Sequence, residues 1–197
     1  MDVAQYRAIE KWAKELDGVF TVADLKVVLA KNAEATLYRV VADMVRRGDL
    51  IKVKRGIYAT PDASLTTISS RIEPKAYLST GTVLARKAII GSIPARRVQA
   101  VKTGRPRTYR CELGTVEHLS ISPRLYFGFA SVAGALVASP EKAFLDVCYF
   151  TYRGRRFSFD PATDINLEGL DFDTIERYLE TYDTRFVSFF NRTWRRP

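Results

Sequence analysis

The feature that most restricts the fold is a pair of helical patterns separated only by a short polar break at residues 31–32. Thr21 precedes the first pattern and can cap it, because Asp24 stands at the third helical position of a capping box. The second pattern begins near Ala33 and ends in the cations and glycine of residues 46–48. Two helices joined so closely predict a helix-turn-helix.

A second regular pattern follows directly. Residues 50–59 alternate apolar and basic side chains around a turn at or near Arg55 and Gly56, which is typical of a β-hairpin. A hairpin after a helix-turn-helix predicts a winged helix-turn-helix domain over residues 1–60. The Pro-, Ser- and Thr-containing segment 61–72 is typical of a linker.

The rest of the chain, residues 73–197, predicts a second domain of mixed α/β type with a small antiparallel sheet, so the fold class is α+β. Ser79 and Thr80 can cap a helix that reaches Ile90, and three strands are expected at 97–102, 107–113 and 115–121. Further helices are predicted to begin after Ser139 and at Asp173, with a last one over 185–194.

The charge of the N-terminal domain favours a nucleic-acid partner. The chain has 31 Lys+Arg and 22 Asp+Glu, a formal net charge of +9. In a helix-turn-helix, the start of the second helix enters the major groove of DNA and its side chains reach base edges, here those of Asn32, Glu34, Ala35 and Thr36. Tyr38 and Arg39 can contact phosphates, and the basic residues of the wing would hold the neighbouring backbone or minor groove. The predicted DNA-binding residues are Lys31, Asn32, Glu34, Ala35, Thr36, Tyr38, Arg39, Lys52, Lys54 and Arg55.

Two questions stay open at this interface. Glu34 either accepts a hydrogen bond from a cytosine amino group or repels phosphates. Winged helices also serve as protein–protein modules, so the domain alone does not fix the partner.

A second group of cations is free of acidic residues over the whole of 86–110. It is either a solvated sheet face or a second phosphate-contacting surface that extends the footprint on DNA. The candidates are Arg86, Lys87, Arg96, Arg97, Lys102, Arg105, Arg107 and Arg110.

Catalytic chemistry is weakly represented. Asp62, Glu73 and Lys75 spell the P-D…E-x-K string of Mg²⁺-dependent nucleases, but Pro74 cannot donate to a sheet ladder, so a chance match is favoured. Single His118 and two cysteines, expected to be buried and unreactive, form no metal set. We therefore predict no enzyme activity, no cofactor and no metal.

Location follows from hydropathy. Charged residues interrupt the first fifteen positions, which excludes an apolar signal core there. The longest uncharged stretch, residues 125–140, is too short to cross a bilayer as a helix. A cytoplasmic protein with no membrane partner is expected.

Four motifs resemble one family. The segment 73–79, EPKAYLS, is similar to the "EPxAYLS" motif of AbiEi antitoxins, and 139–146, SPEKAFLD, to their "(S/T)PEKALLDL" helix. The segments 55–59, RGIYA, and 126–128, YFG, resemble the family's "RGVYA" and "FFG" elements. Their order and spacing match from about Phe20 to Tyr152.

This resemblance implies a winged helix joined to a C-terminal domain that antitoxin action requires. Such proteins repress their own operon and oppose a nucleotidyltransferase-like toxin, in type IV toxin–antitoxin and abortive infection systems. The expected partners are then double-stranded DNA of the protein's own promoter and a cognate toxin. Two alternatives remain: a winged-helix transcription factor without a toxin, and a Mg²⁺-dependent nuclease.

Overall fold

A computed structural model describes residues 3–194 and divides into two compact units. The first unit runs to Glu73 and also contains Thr108–Val116, and the second contains Pro74–Arg107 and the residues from Glu117 onward. Helices and strands occur in both units, which confirms the α+β class.

The first unit begins with alternating helices and strands. Thr21 caps the second helix as predicted: its backbone N–H donates to Asp24 Oδ2 at 2.8 Å, and the Asp24 N–H donates to Thr21 Oγ1 at 3.2 Å. Gly48 ends the third helix in the left-handed conformation, with φ 82°. The elements are α1 (Val3–Glu15), β1 (Val19–Thr21), α2 (Val22–Val28), α3 (Glu34–Arg47), β2 (Ile51–Lys54) and β3 (Ile57–Ala59).

The sheet of this unit has one strand that the sequence patterns did not predict. β1 pairs antiparallel with β3, with Val19 opposite Ala59 and Thr21 opposite Ile57, so the strand order is β1-β3-β2. Three residues are too few for an alternation to be recognised. Three helices with a strand after the first and a hairpin after the third are the arrangement typical of a winged helix.

One apolar cluster holds the helices together. Phe20, Leu25, Leu37 and Met44 are at most 2% exposed and pack in one core with Leu50. Because Leu37 and Met44 lie on one face of α3, the opposite face of that helix is directed to solvent.

The predicted linker differs from the structure. Residues 65–72 form α4 (Leu65–Ile72), which begins where the Thr67 N–H donates to Ser64 Oγ at 3.1 Å. Ile68 is fully buried in a second apolar cluster of the first unit, together with Val19 and Val116. The Ser and Thr content concealed the apolar face of a short helix.

The remaining elements come from the second unit and from the hairpin around residues 108–116, which belong to the first unit. The six-stranded sheet has the order β6-β7-β5-β4-β9-β8. The elements are β4 (Tyr77–Leu78), α5 (Gly81–Arg86), β5 (Arg97–Lys102), β6 (Arg107–Cys111), β7 (Gly114–Ser120), β8 (Phe129–Val132), β9 (Ala135–Ala138), α6 (Pro140–Tyr152), α7 (Phe172–Leu179) and α8 (Thr184–Thr193).

Three predictions for this unit were wrong in detail. The sheet is mixed rather than antiparallel, because β4 runs parallel to β9 with Tyr77 opposite Leu136. α5 ends at Arg86 instead of Ile90, since Ala88 takes a left-handed φ of 55°. α7 is capped by Asp171, not opened by Asp173: the Asp171 carboxylate accepts from the N–H groups of Asp173 and Thr174.

Candidate nucleic-acid interface

The start of α3 is available to a large partner. Asn32, Glu34, Ala35, Tyr38 and Arg39 are exposed, and Tyr38 retains 43% of its surface. Lys31 and Thr36 are half-buried. No side chain caps α3 at Ala33, so its first N–H groups are not bonded by a capping side chain. The residues predicted to read bases therefore lie at one exposed helix end.

The hairpin has the alternation that the sequence predicted. Ile51 and Val53 are buried, Lys52 is exposed and Lys54 is half-buried. Arg55 is exposed beside Gly56, whose φ of 83° suits a turn that other residues rarely adopt. The basic side chains of the wing thus alternate with the apolar ones that anchor it.

The acids near the interface neutralise cations that are not among the candidates. Asp43 pairs with Arg46, and Asp49 pairs with Arg47 at 2.9 Å. Five candidate cations form no ion pair with any residue in the range 3–194: Lys31, Arg39, Lys52, Lys54 and Arg55. Glu34 is the single acidic residue among the predicted DNA-binding residues, so this set keeps an excess of positive charge.

One residue that the sequence patterns missed joins the helix to the wing. Tyr58 of β3 is 7% exposed, and burial raises its pKa, with a further contribution from Tyr38 of α3. Tyr58 belongs to the apolar cluster that contains Leu37 and Met44 of α3, so it packs the wing strand into the core beneath that helix. An alternating hairpin pattern contains no signal for such packing.

The second group of cations is mostly exposed, but its members do not all lie on one face of one strand. Seven of the eight are exposed and Lys102 is half-buried. Arg97 and Lys102 stand at opposite ends of β5 and on opposite faces of it, since side chains alternate along a strand. Arg110 belongs to the first unit and the other seven to the second.

The nuclease string does not have the geometry that metal-dependent cleavage requires. Asp62 lies in the turn before α4 and Glu73 caps its other end, so the two acids flank opposite ends of a helix about 12 Å long. Neither acid lies on a strand, as expected for the chance match that the sequence favoured. In the range 3–194 no group of three or more His, Cys, Asp or Glu residues could hold a metal ion.

The isolated thiols and the histidine occupy structural positions. Cys148 is fully buried, which confirms the predicted burial there, and burial raises the pKa of its thiol. Cys111 is only half-buried, because it lies on the hairpin strand β6. His118 is fully buried on β7.

The second unit contains a buried polar network that hydrophobic patterning did not reveal. Lys142 and Asp146, both 0% exposed, form an ion pair across one turn of α6. Asp146 also accepts hydrogen bonds from Tyr77 Oη at 3.0 Å and Ser79 Oγ at 2.7 Å. The Lys142 ammonium donates to Tyr182 Oη at 3.3 Å.

The network explains two of the motifs. Tyr77 and Ser79 come from the EPKAYLS segment, and Lys142 and Asp146 come from the SPEKAFLD helix. Gly128 of the YFG segment has φ 73°, and a Cβ there would lie 2.9 Å from Lys142 Cγ. The only signal in the sequence was the motif resemblance itself, because a Lys and an Asp four residues apart usually mark an exposed helix face.

Comparison with known families identifies the N-terminal segment. Residues 7–61 match a family model described as a transcriptional regulator, AbiEi antitoxin, which confirms the resemblance over that segment. That description names a regulator and mentions no catalytic activity. No curated protein matches the chain.

A solved structure supports the fold of the whole chain. The crystal structure of the RV2827C protein from Mycobacterium tuberculosis superimposes with a TM-score of 0.65 over 98% of this chain and 76% of that chain. The two sequences are 15% identical, so the similarity is one of fold. Within residues 3–194 no helix combines the length and the apolar character that crossing a bilayer requires.

Proposed function

We propose that this protein is a DNA-binding transcriptional repressor that acts as the antitoxin of a type IV toxin–antitoxin system and represses its own operon in the cytoplasm. One observation carries the proposal: five cations, at an exposed helix start and on the hairpin that follows, form no ion pair with any described residue, and they lie in the segment that matches the AbiEi regulator model. Neither catalytic geometry nor a cofactor is needed for this mechanism.

The proposed mechanism is occupation of the operator. Side chains at the start of α3, among them Asn32, Glu34, Ala35 and Thr36, read base edges in the major groove. Tyr38 and Arg39 contact phosphates, and Lys52, Lys54 and Arg55 hold the neighbouring backbone or minor groove. The bound protein then blocks transcription of the operon sterically.

The second unit has a separate part in this proposal. We assign to it the opposition to a nucleotidyltransferase-like toxin. The exposed cations between Arg86 and Arg110 supply additional phosphate contacts when the protein is on DNA.

A salt-titrated gel shift tests the DNA-binding part. The full chain is titrated onto the duplex upstream of its own gene and onto a scrambled duplex of equal length. We expect tight binding to the upstream duplex alone, with an affinity that falls steeply with log salt concentration as counterions are released. Equal and weak binding to both duplexes would assign the winged helix to a protein–protein role instead.

Growth rescue tests the antitoxin part separately. The gene next to this one is induced with and without the full chain, and an Arg39→Ala/Lys52→Ala variant is included because it should lose repression but keep the second unit intact. Rescue by both forms supports direct opposition to the toxin. A neighbouring gene that is not toxic supports the alternative of a transcription factor without a toxin.

A further inference from the structure

A small cavity in the second unit is lined by the buried side chain of Gln99, which we call its floor, and by two arginine side chains. Its volume is about 210 Å³. Ile93, Pro94 and Phe157 form an apolar wall of the cavity. Arg97, Arg156 and Ser158 line it with hydrogen-bond donors. They come from the start of β5 and from the loops around 93–94 and 156–158.

The floor is Gln99, which is 93% buried, and its amide is fixed on both sides. Its Oε1 accepts from Thr80 Oγ1 at 2.8 Å, and its Nε2 donates to Glu117 Oε2 at 3.0 Å. Thr80 is itself held in an uncommon conformation, with φ 52° and ψ −140°. Such backbone conformations persist only where the surroundings enforce them. The floor is therefore rigid before any ligand arrives.

The charge at this site is positive. Glu117 is the acid beside the floor. Burial disfavours its ionised form, but hydrogen bonds from Gln99 and Arg155 and the charges of Arg155 and Arg97 lower its pKa overall. Its second oxygen is bound by Arg155 Nη2 at 2.6 Å. Arg97 and Arg156 form no ion pair with any residue that the structure describes. Three guanidinium groups thus oppose one carboxylate, a local excess of two charges.

We propose that this cavity binds a phosphate monoester. Two guanidinium groups and the Ser158 hydroxyl place donors of three separate side chains around one anion, which suits the three terminal oxygens of a phosphate better than the two of a carboxylate. A phosphate monoester carries nearly two negative charges at neutral pH, which balances the local excess. The apolar wall then covers the carbon atoms next to the ester oxygen.

The cavity has room for the phosphate and its first attached group, whereas whole drug-sized ligands occupy roughly 300–1,000 Å³. Either a free nucleotide or the 5′ end of a nucleic acid can present this group. The remainder of the ligand then lies outside the cavity. This inference concerns the second unit only and does not depend on the winged helix binding DNA.

Calorimetric titration of the full chain tests the site. The probes are inorganic phosphate, 5′-adenosine monophosphate, adenosine and acetate, together with a short single-stranded oligonucleotide with and without a 5′-phosphate. We expect saturable binding of the phosphate-bearing probes only, and tighter binding at pH 7.5 than at pH 5.5 because the dianion forms above about pH 6. A preference for the nucleotide or for the 5′-phosphorylated strand identifies the source of the phosphate.

Matched variants separate this site from general charge attraction. Arg156→Ala should weaken phosphate binding by at least about tenfold, as expected for a lost charge-assisted hydrogen bond. Arg192→Ala removes an exposed cation of α8 in the same unit, outside the cavity, and should change affinity less than twofold. Circular dichroism checks that both variants remain folded.

The proposal is overturned by three results. The first is no saturable binding of any phosphate-bearing probe by the wild-type protein. The second is equal weakening in the Arg192→Ala and Arg156→Ala variants, and the third is acetate binding as tight as phosphate binding.

Discussion

Lysine is used in opposite ways in the two units. In the first unit Lys52 is exposed on the wing and forms no ion pair with the described residues. In the second unit Lys142 is 0% exposed, bound to Asp146 and placed over the rings of Tyr77, Phe127 and Tyr182, 5.0 Å from the centroid of Phe127. The first lysine is free for a partner, and the second is committed to the core.

The difference shows that charge in a sequence has no fixed meaning until burial is known. Desolvating an ammonium and a carboxylate costs several kcal/mol for each group, and this cost is offset only by good geometry and further hydrogen bonds. Asp146 meets that condition with two hydroxyl donors besides the lysine. The following predictions test this contrast, in order of decreasing expected effect.

Lys142→Ala should be the most damaging single change, with a loss of about 3–5 kcal/mol in the free energy of unfolding, because Asp146 is left as a buried charge without its cation. Urea unfolding is followed in a Trp12→Phe background. There Trp194, 3% exposed in the second unit, is the remaining tryptophan. Lys52→Ala is the control and should stay within about 0.5 kcal/mol. A loss below 1 kcal/mol for Lys142→Ala would contradict the contrast.

High pH should weaken the second unit. Burial raises the pKa of both Tyr77 and Tyr182. Above about pH 10 the unfolded chain releases these two protons while the folded chain keeps them, so the free energy of unfolding falls by roughly 1.4 kcal/mol per pH unit for each tyrosine. Below pH 10 this contribution is fully present.

Trp194 fluorescence against pH measures the effect, and Tyr77→Phe should flatten the alkaline decline by about half. An unchanged decline would mean that Tyr77 does not control it.

Thr36→Ala should alter the DNA-binding specificity of the first unit without altering its stability. Thr36 is half-buried at the start of α3, where one good base contact is worth about 1–3 kcal/mol of discrimination. Binding to a library of operator variants measures the preference at each base pair. Arg39→Ala is the comparison and should weaken binding to all sequences alike. If Thr36→Ala leaves the specificity profile unchanged, the face of α3 that we place in the groove is the wrong one.

Thr21→Ala should cost about 1 kcal/mol in the free energy of unfolding of the first unit, since it removes both hydrogen bonds of the Thr21 hydroxyl, the one accepted from the Asp24 N–H and the one donated to Asp24 Oδ2. Urea unfolding monitored by circular dichroism gives the value. Thr108→Ala changes an exposed threonine of β6 in the same unit and serves as the control. Equal stabilities of Thr21→Ala and Thr108→Ala would show that the cap does not contribute to the free energy of unfolding.

Lys52→Ala should have the smallest effect on stability and a defined effect on binding. If Lys52 contacts one phosphate, its loss reduces the slope of log affinity against log salt by about 0.9. Gel shifts at four salt concentrations give the slope. A slope equal to the wild-type value would place Lys52 away from the backbone.

The first unit was largely predictable because its helices follow a single apolar face. The cap at Thr21, the end of α3 at Gly48 and the alternation of the wing all depend on residues close in sequence. β1 and α4 were missed because a three-residue strand and a Ser/Thr-rich helix give weak local signals.

The second unit was less predictable because its stabilising contacts join distant residues. Tyr77 and Asp146 are 69 positions apart, and no local pattern indicates that Lys142 is buried beside Asp146. The parallel pairing of β4 with β9 is likewise a long-range contact. The predicted base-reading residues and the role of the cations at 86–110 stay predictions until DNA binding is measured.

The discontinuity of the first unit has a consequence during protein synthesis. Val116 completes the cluster around Ile68, yet the ribosome adds it only after β4, α5 and β5 have been made. At translation rates of about 5–20 residues per second, this cluster stays incomplete for several seconds on the nascent chain. An apolar surface on α4 is open to chaperones during that interval. A fragment that stops at Glu73 never closes it, so such a fragment should aggregate where the full chain stays dispersed.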